Sequence, residues 1–252
     1  MSDPGRRLAP AFYAAPSPVR GRAAADWWVV LHPPYTLWHL SYVAIGATIA
    51  ARINGGRLVA TLAAFFLAVG VCAHALDELH GRPLRTAIPG WLLVGAAAGS
   101  LAGAVALGVV GLARVGPGLG VFIVVGVALT VGYNLELFGG RLHNDVTFAA
   151  AWGAFPVLTG YYAQAQTLRF PAIAAAAGAY WLSAAQRSLS TPARTLRRQV
   201  VSLDGAFTYG DGRTEPLSAA VVLTPLETAL KAMACAVVAL AVALVVFRLT
   251  GA

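Results

Sequence analysis

The chain has 252 residues, of which 58% are hydrophobic and only 11% are charged. Soluble domains usually carry about 25% charged residues, so the composition excludes an ordinary water-soluble domain. The net charge of +8 does not indicate nucleic-acid binding, because the basic residues lie in short segments between apolar runs, which is typical of membrane proteins.

The predicted elements, in chain order, begin with a polar tail. Residues 1–24 are rich in Pro, Ala, Arg and Ser, and we expect them to be disordered. Asp26 is expected to cap a short helix that places Trp27 and Trp28 at the membrane surface. Apolar runs then follow at 35–52, 57–78, 89–112, 117–137, 146–164, 170–187 and 224–249. Their length and their Ala, Leu and Gly content predict an all-α, polytopic transmembrane bundle of about seven spans.

The distribution of basic residues predicts how this bundle is oriented. Thirteen of the 18 Lys and Arg residues fall on the side that holds the N-terminus. The positive-inside rule therefore places the N-terminus in the cytoplasm, with the protein in the cytoplasmic (inner) membrane. Residues 25–187 would form spans 1–6 and 224–252 the last helix. The segment 188–223 is predicted to be either a solvated loop or a small hairpin that caps the cytoplasmic mouth.

Ionisable residues gather at the cytoplasmic ends of the predicted spans. His74, Asp77 and Glu78 share one face of a helix because they are spaced i, i+3, i+4. Glu136 and His143 flank the end of span 4, and His39 lies near the start of span 1. Charged and imidazole groups at membrane depth are functional candidates because burying them is unfavourable without a partner.

These residues predict a metal site in which imidazoles and carboxylates act together. The ligand set would be His39, His74, Asp77, Glu78, His80, Glu136 and His143. Such mixed ligation suits one or two transition-metal ions, with iron favoured and manganese or zinc as alternatives. A second interpretation stays open, in which Asp77, Glu78 and Glu136 simply form ion pairs with neighbouring arginines and the histidines are structural.

One stretch resembles a known membrane family. His74-Ala-Leu-Asp-Glu-Leu-His-Gly-Arg-Pro-Leu-Arg-Thr resembles the end of helix 2 in UbiA-type membrane prenyltransferases, and Tyr133-Asn134 and the Trp152 to Tyr162 stretch resemble that superfamily's middle helices. The resemblance covers about 35–190 and implies a UbiA-like bundle. In that family, Mg²⁺ held by two Asp motifs binds an isoprenyl diphosphate, which ionises and alkylates an acceptor.

The chain departs from the family pattern at both Asp motifs. Positions of the first motif fall on Val69, Gly70, Ala73 and Asp77, so only the last carboxylate is present. The second motif should follow span 6, but the stretch there, Gln186 to Arg194, has no acid. The chain therefore looks like a shortened relative that lacks most Mg²⁺ ligands and has additional histidines.

The sequence leads to three functional hypotheses. The first is a metal-dependent membrane enzyme that acts oxidatively on a hydrophobic, lipid or isoprenoid-like substrate, with a possible electron donor as partner. Its catalytic residues would be Asp77, Glu78 and Glu136, and its substrate-binding residues Arg82, Arg85, Arg141 and Asn134. The second is a divergent prenyltransferase that uses Mg²⁺ and an isoprenyl diphosphate. The third is a non-catalytic subunit that binds a lipid or a partner protein in the bilayer.

Overall fold

Helices make up most of the protein. The computed structural model describes residues 23–251, and 75% of the structure is helical. The helices are α1 (Ala23–Val30), α2 (Pro33–Thr48), α3 (Gly55–Phe65), α4 (His74–Leu79), α5 (Gly90–Val115), α6 (Leu119–Asn134), α7 (Asp145–Ala149), α8 (Phe155–Ala165), α9 (Phe170–Arg198) and α10 (Ala219–Thr250). The predicted tail, residues 1–24, lies outside the described residues except for its last two.

Two short π-helical segments join pairs of these helices without a break. The first π segment, Phe66–Ala73, links α3 to α4, and the second π segment, Ala150–Ala154, links α7 to α8. A π turn holds more residues than an α turn, so it widens the helix locally, and such segments often occur at functional sites. Both segments line the interior cavities described below.

The apolar helices support a membrane protein. Among the described residues, three helical stretches are long and apolar enough to cross a bilayer: Gly55–Leu79, Gly90–Val115 and Ala219–Thr250. Leu119–Asn134 is a shorter apolar helix. The predicted all-α class and membrane character are confirmed at this level. The count of seven spans and the UbiA-like arrangement stay predictions.

Close backbone packing between α2 and α8 forms the centre of the bundle. A Cβ atom at Gly46 would overlap the carbonyl of Val157, and one at Gly160 would overlap the carbonyl of Val43. Small residues allow this approach, which is the common way for helices to associate in lipid. Trp38 and Tyr42 of α2 extend the core towards α9 and α10.

The structure differs from the sequence prediction near the ends of several elements. Helix α9 continues through Pro192 to Arg198, rather than ending near 187, because buried Ser190 and Ala193 keep it packed on the bundle. A hairpin does form in 188–223, with β1 (Ala206–Thr208) antiparallel to β2 (Thr214–Pro216). Helix α10 begins earlier than the predicted run 224–249, at Ala219.

Asp26 does not act as a helix cap. It lies within α1, is buried, and accepts a hydrogen bond of 2.9 Å from the backbone N–H of Ala87. The carboxylate therefore ties α1 to the loop that connects α4 to α5. Trp28 is exposed.

Candidate functional site

A polar cavity of about 240 Å³ lies between α2, α4, α6 and α9. Five residues of the predicted site line it: His39, His74, Asp77, Asn134 and His143. Residues that the prediction did not assign to the site complete the lining, among them His32, Tyr35, Tyr133, Gln186, Arg187, Arg194 and Arg198. Three arginines against one aspartate give the cavity a net positive charge. Such a cavity favours an anionic ligand.

A second, apolar cavity of about 510 Å³ lies next to the polar one, between α3, α5, α6 and α8. Most of its lining is Ala, Val, Leu, Ile and Phe, for example Leu101, Val105, Phe122 and Ile123. Val69 and Trp152 line both cavities. The two spaces are therefore neighbours that share a wall, with a charged chamber on one side and an apolar chamber on the other.

The three predicted-site histidines in the polar cavity have their Nδ1 atoms occupied. Nδ1 of His39 lies 2.8 Å from the carbonyl oxygen of Trp152, and Nδ1 of His74 lies 3.1 Å from that of Gly70. Nδ1 of His143 lies 3.3 Å from the carbonyl oxygen of Tyr133. Since a carbonyl can only accept, each of these Nδ1 atoms donates the hydrogen bond.

His32 occupies the turn between α1 and α2 and stacks on His74, with ring centroids 4.8 Å apart. Burial, and to a lesser extent His74, Arg198 and Arg194, lower the pKa of His32 well below its ordinary value. His32 is therefore neutral at physiological pH. The positive charge of the cavity comes from its arginines rather than from this imidazole.

Three contacts fix the position of Arg187, one of the arginines that line the polar cavity. Its Nε donates to Asp145 at 2.5 Å, and its Nη1 donates to the hydroxyl of Tyr133 at 2.9 Å. The guanidinium also lies 4.8 Å from the ring centroid of Phe148, a cation–π contact. Because the Tyr133 hydroxyl accepts from Arg187, its own proton is available to an acceptor in the cavity.

Glu78 has a structural role. It is fully buried, and its carboxylate accepts hydrogen bonds from the backbone N–H groups of Leu84 and Thr86 at 3.0 and 2.9 Å. The hydroxyl of Thr86 donates to it at 2.8 Å. Both carboxylate oxygens therefore serve the loop after α4. Glu78 was predicted to bind metal and to act in catalysis, but it does not line the polar cavity.

Glu136, His80 and His143 form a separate group nearer the surface. The Glu136 carboxylate lies 3.7 Å from Nε2 of His80 and 3.8 Å from Nδ1 of His143, and it is 43% exposed. Of the three, only His143 reaches the polar cavity. The predicted substrate-binding residues Arg82, Arg85 and Arg141 also lie outside both cavities. Arg82 instead donates to the carbonyl oxygen of Ile88 at 2.6 Å.

The residues do not fit the predicted metal centre. Within residues 23–251, no three His, Cys, Asp or Glu side chains are placed so that they could hold a metal ion together. The seven predicted ligands are divided among the polar cavity, the Glu78 loop and the Glu136 group. The hard ions Mg²⁺ and Ca²⁺ need several oxygen ligands, and the polar cavity has Asp77 as its single carboxylate. We therefore derive no chemical step through a metal.

The sequence prediction missed the arginines of α9, although a signal for them exists. Arg187, Arg194 and Arg198 are spaced i, i+7, i+11, which places them on one face of a continuous helix. The prediction ended the helix near 187 and used these residues only to orient the bundle. Had the helix been extended to Arg198, its periodicity would have indicated a basic face.

Comparisons with protein-family models, with curated proteins and with solved structures found no match for this chain.

Proposed function

We propose that this protein binds a membrane amphiphile that has a phosphate-like anionic head group and a long apolar tail. The single observation that carries the proposal is the shared wall of the two cavities at Val69 and Trp152. The head would bind among the arginines of the polar cavity, and the tail would extend into the apolar cavity. In this proposal the polar cavity faces the cytoplasm, as the arginine distribution predicts.

The chemistry of the lining supports an anionic head. Guanidinium groups bind phosphate and carboxylate oxygens through paired N–H donors, and such charge-assisted bonds are roughly twice as strong as neutral ones. Arg187, Arg194 and Arg198 offer these donors, and the Tyr133 hydroxyl adds another. The side-chain amides of Asn134 and Gln186 also line the cavity. Apolar walls in the neighbouring cavity support a tail, since each buried methylene contributes about 0.8 kcal/mol.

Prenyl transfer is the reaction that we propose for this site. In the resembled family the C–O bond of an isoprenyl diphosphate breaks and diphosphate leaves with the electron pair, so negative charge develops on the leaving group. The allylic carbon then forms a bond to a nucleophilic acceptor, which loses a proton. Preorganised donors in a water-poor cavity stabilise such charge strongly. Arg187, fixed by Asp145 and Tyr133, is placed to do so without a metal ion. Among the hypotheses raised by the sequence, we favour a divergent prenyltransferase, in a form in which arginines take the place of Mg²⁺. The lipid-binding subunit is the outcome if no product forms.

Binding of dodecyl phosphate to protein in nanodiscs of zwitterionic lipid tests the binding proposal. We expect Arg194→Ala to weaken binding roughly tenfold or more, since one charge-assisted hydrogen bond contributes about 1.5–3 kcal/mol. Arg141→Ala is the matched control, because Arg141 is exposed and lines neither cavity. Equal loss in both variants, or no loss in either, would contradict the proposal.

Two further measurements separate the remaining hypotheses. Release of diphosphate from farnesyl diphosphate, together with a farnesylated acceptor formed in a membrane-lipid extract, would support transfer, whereas tight binding without release would support a lipid-binding subunit. Elemental analysis addresses the metal-dependent oxidative enzyme. Near-stoichiometric iron, manganese or zinc that is lost in both His143→Ala and Glu136→Ala would favour that enzyme over prenyl transfer. An electron donor would then be expected as a partner.

A further inference from the structure

Two side chains, from two different helices, line both cavities and so form part of the wall between them. Val69 belongs to the first π segment and Trp152 to the second. Both are buried, at 5% and 6% exposure, and both belong to one hydrophobic cluster with Phe65, Tyr133 and Ala151. A ligand whose head is in the polar cavity and whose tail is in the apolar cavity has to pass these two side chains.

Val69 and Trp152 both lie in π-helical segments, which is a second observation about this wall, separate from the cavity linings. Each of the two helices contains a π segment, and the two residues common to both cavities come from those segments. A π turn changes the angular spacing of side chains along a helix, so it can direct a side chain into a space that a regular helix would leave uncovered. Two such distortions at the same wall point to a feature of function.

The backbone of Trp152 is fixed from two sides. His39 contacts its carbonyl oxygen through Nδ1 at 2.8 Å. The next residue, Gly153, packs so tightly that a Cβ atom there would lie 2.5 Å from the carbonyl oxygen of Ala179 in α9. Trp152 therefore cannot move aside with its backbone, and the passage can widen only through side-chain rotation. His39, predicted as a metal ligand, acts here as a positioning residue for Trp152.

We propose that Val69 and Trp152 form the neck between head and tail sites, and that their bulk determines which chains the protein accepts. This inference rests on the proposed function, since it requires one ligand to occupy both cavities. The part of the ligand next to the anionic head has to be narrow at this neck. Trp152 is the specificity-determining residue, because removing its indole would open the widest passage.

A pair of straight-chain phosphates tests the neck. Butyl phosphate reaches little beyond the polar cavity, whereas dodecyl phosphate extends into the apolar one. We expect Val69→Phe to weaken dodecyl phosphate binding roughly tenfold, because overpacking blocks the passage, and to leave butyl phosphate binding nearly unchanged. Val71→Phe is the matched control, since Val71 lies in the same π segment and lines neither cavity. The alkyl phosphates partition into the lipid of the nanodisc equally for all variants. Differences in affinity among the variants therefore come from the binding site in the protein.

Branched chains test the specificity of Trp152. Hexahydrofarnesyl phosphate has the chain length of dodecyl phosphate but carries its methyl branches on tetrahedral carbons. It is therefore thicker next to the head group than an isoprenyl chain, whose first methyl-bearing carbon is planar. We expect Trp152→Ala to improve its binding relative to dodecyl phosphate roughly tenfold, and Trp181→Ala, at a 71% exposed tryptophan, to leave the ratio unchanged. Trp152→Phe, which shortens the side chain but keeps an aromatic ring, gives a smaller change in the same direction and serves if the alanine variant does not fold.

The outcomes distinguish this inference from the proposed function. If Arg194→Ala weakens both straight-chain phosphates while Val69→Phe and Trp152→Phe change neither ratio, the head site stands and the neck is wrong. If Arg194→Ala weakens neither, the proposed function itself is wrong. Selective loss of dodecyl phosphate in Val69→Phe, with Val71→Phe unaffected, supports the neck.

Discussion

The carboxylate of Glu78 accepts two hydrogen bonds from Thr86, one from the backbone N–H of Thr86 at 2.9 Å and one from its hydroxyl at 2.8 Å. The loop between them includes Arg82 and Arg85, both with positive φ, which is unfavourable for residues other than glycine. A buried carboxylate thus stabilises a strained loop. The same loop contributes Pro83 to the polar cavity, so the Glu78 contacts help to shape the candidate site.

Replacing Glu78 tests this structural role. We expect Glu78→Ala to lower the free energy of unfolding by about 3 kcal/mol, because it leaves two buried backbone N–H groups without an acceptor. Glu78→Gln keeps one acceptor oxygen and should have a smaller effect. The midpoint of thermal unfolding in detergent measures both. Glu136→Gln, at a carboxylate that is 43% exposed, is the control and should change it little. Equal stability of Glu78→Ala and the unmodified protein would rule out the structural role.

Gly160 is expected to be irreplaceable at the α2–α8 contact. Its missing side chain lets the backbone of α2 approach, and a Cβ atom would overlap the carbonyl of Val43. Gly160→Ala should therefore reduce the free energy of unfolding by about 3 kcal/mol or more. Gly178→Ala, in a helix where a Cβ atom would meet nothing within 4 Å, should stabilise the protein by up to about 1 kcal/mol. Similar unfolding midpoints for the two variants would show that α2 and α8 are not packed this closely.

The burial of His32 predicts that the free energy of unfolding falls as the pH is lowered. Burial lowers its pKa in the folded protein, so the folded chain resists protonation that the unfolded chain accepts below about pH 6.5. The contribution to stability is fully present above that pH and is lost progressively as pH falls towards the folded pKa. We expect His32→Asn to lose less stability between about pH 7.5 and 5 than the unmodified protein does. A thermal-unfolding series over this range measures it, and parallel curves for the two proteins would contradict the assignment.

The hydrophobic pattern of the sequence predicted most of the helices. The positions of ionisable residues along those helices predicted part of the lining of the polar cavity. The predicted run 89–112 matches α5 closely, since its ends are marked by Pro89 and Gly116. His39, His74 and His143 reach one cavity because each lies at the same end of the bundle. Helical spacing also placed His74, Asp77 and Glu78 together, but the loop after α4 folds back and engages Glu78. Sequence spacing does not reveal such tertiary contacts.

The sequence contains a signal for the arginine face, its helical spacing, but none for the neck. No residue pattern distinguishes a π turn from an α turn, so the side chains of Val69 and Trp152 could not be assigned to one wall. The three arginines of α9 share one face because the helix continues past Pro192. Proline usually ends a helix, so the sequence predicted an earlier end.

Photolabelling with an alkyl phosphate that carries a diazirine at the end of its tail tests the central claim most directly. A ligand that bridges the two cavities should label residues of the apolar cavity, such as Val105 and Ile123. Arg194→Ala should strongly reduce that labelling, although Arg194 lines the other cavity. Arg141→Ala should label like the unmodified protein. Labelling confined to outward-facing residues such as Val94 and Val242, at equal levels in all three proteins, would contradict the account.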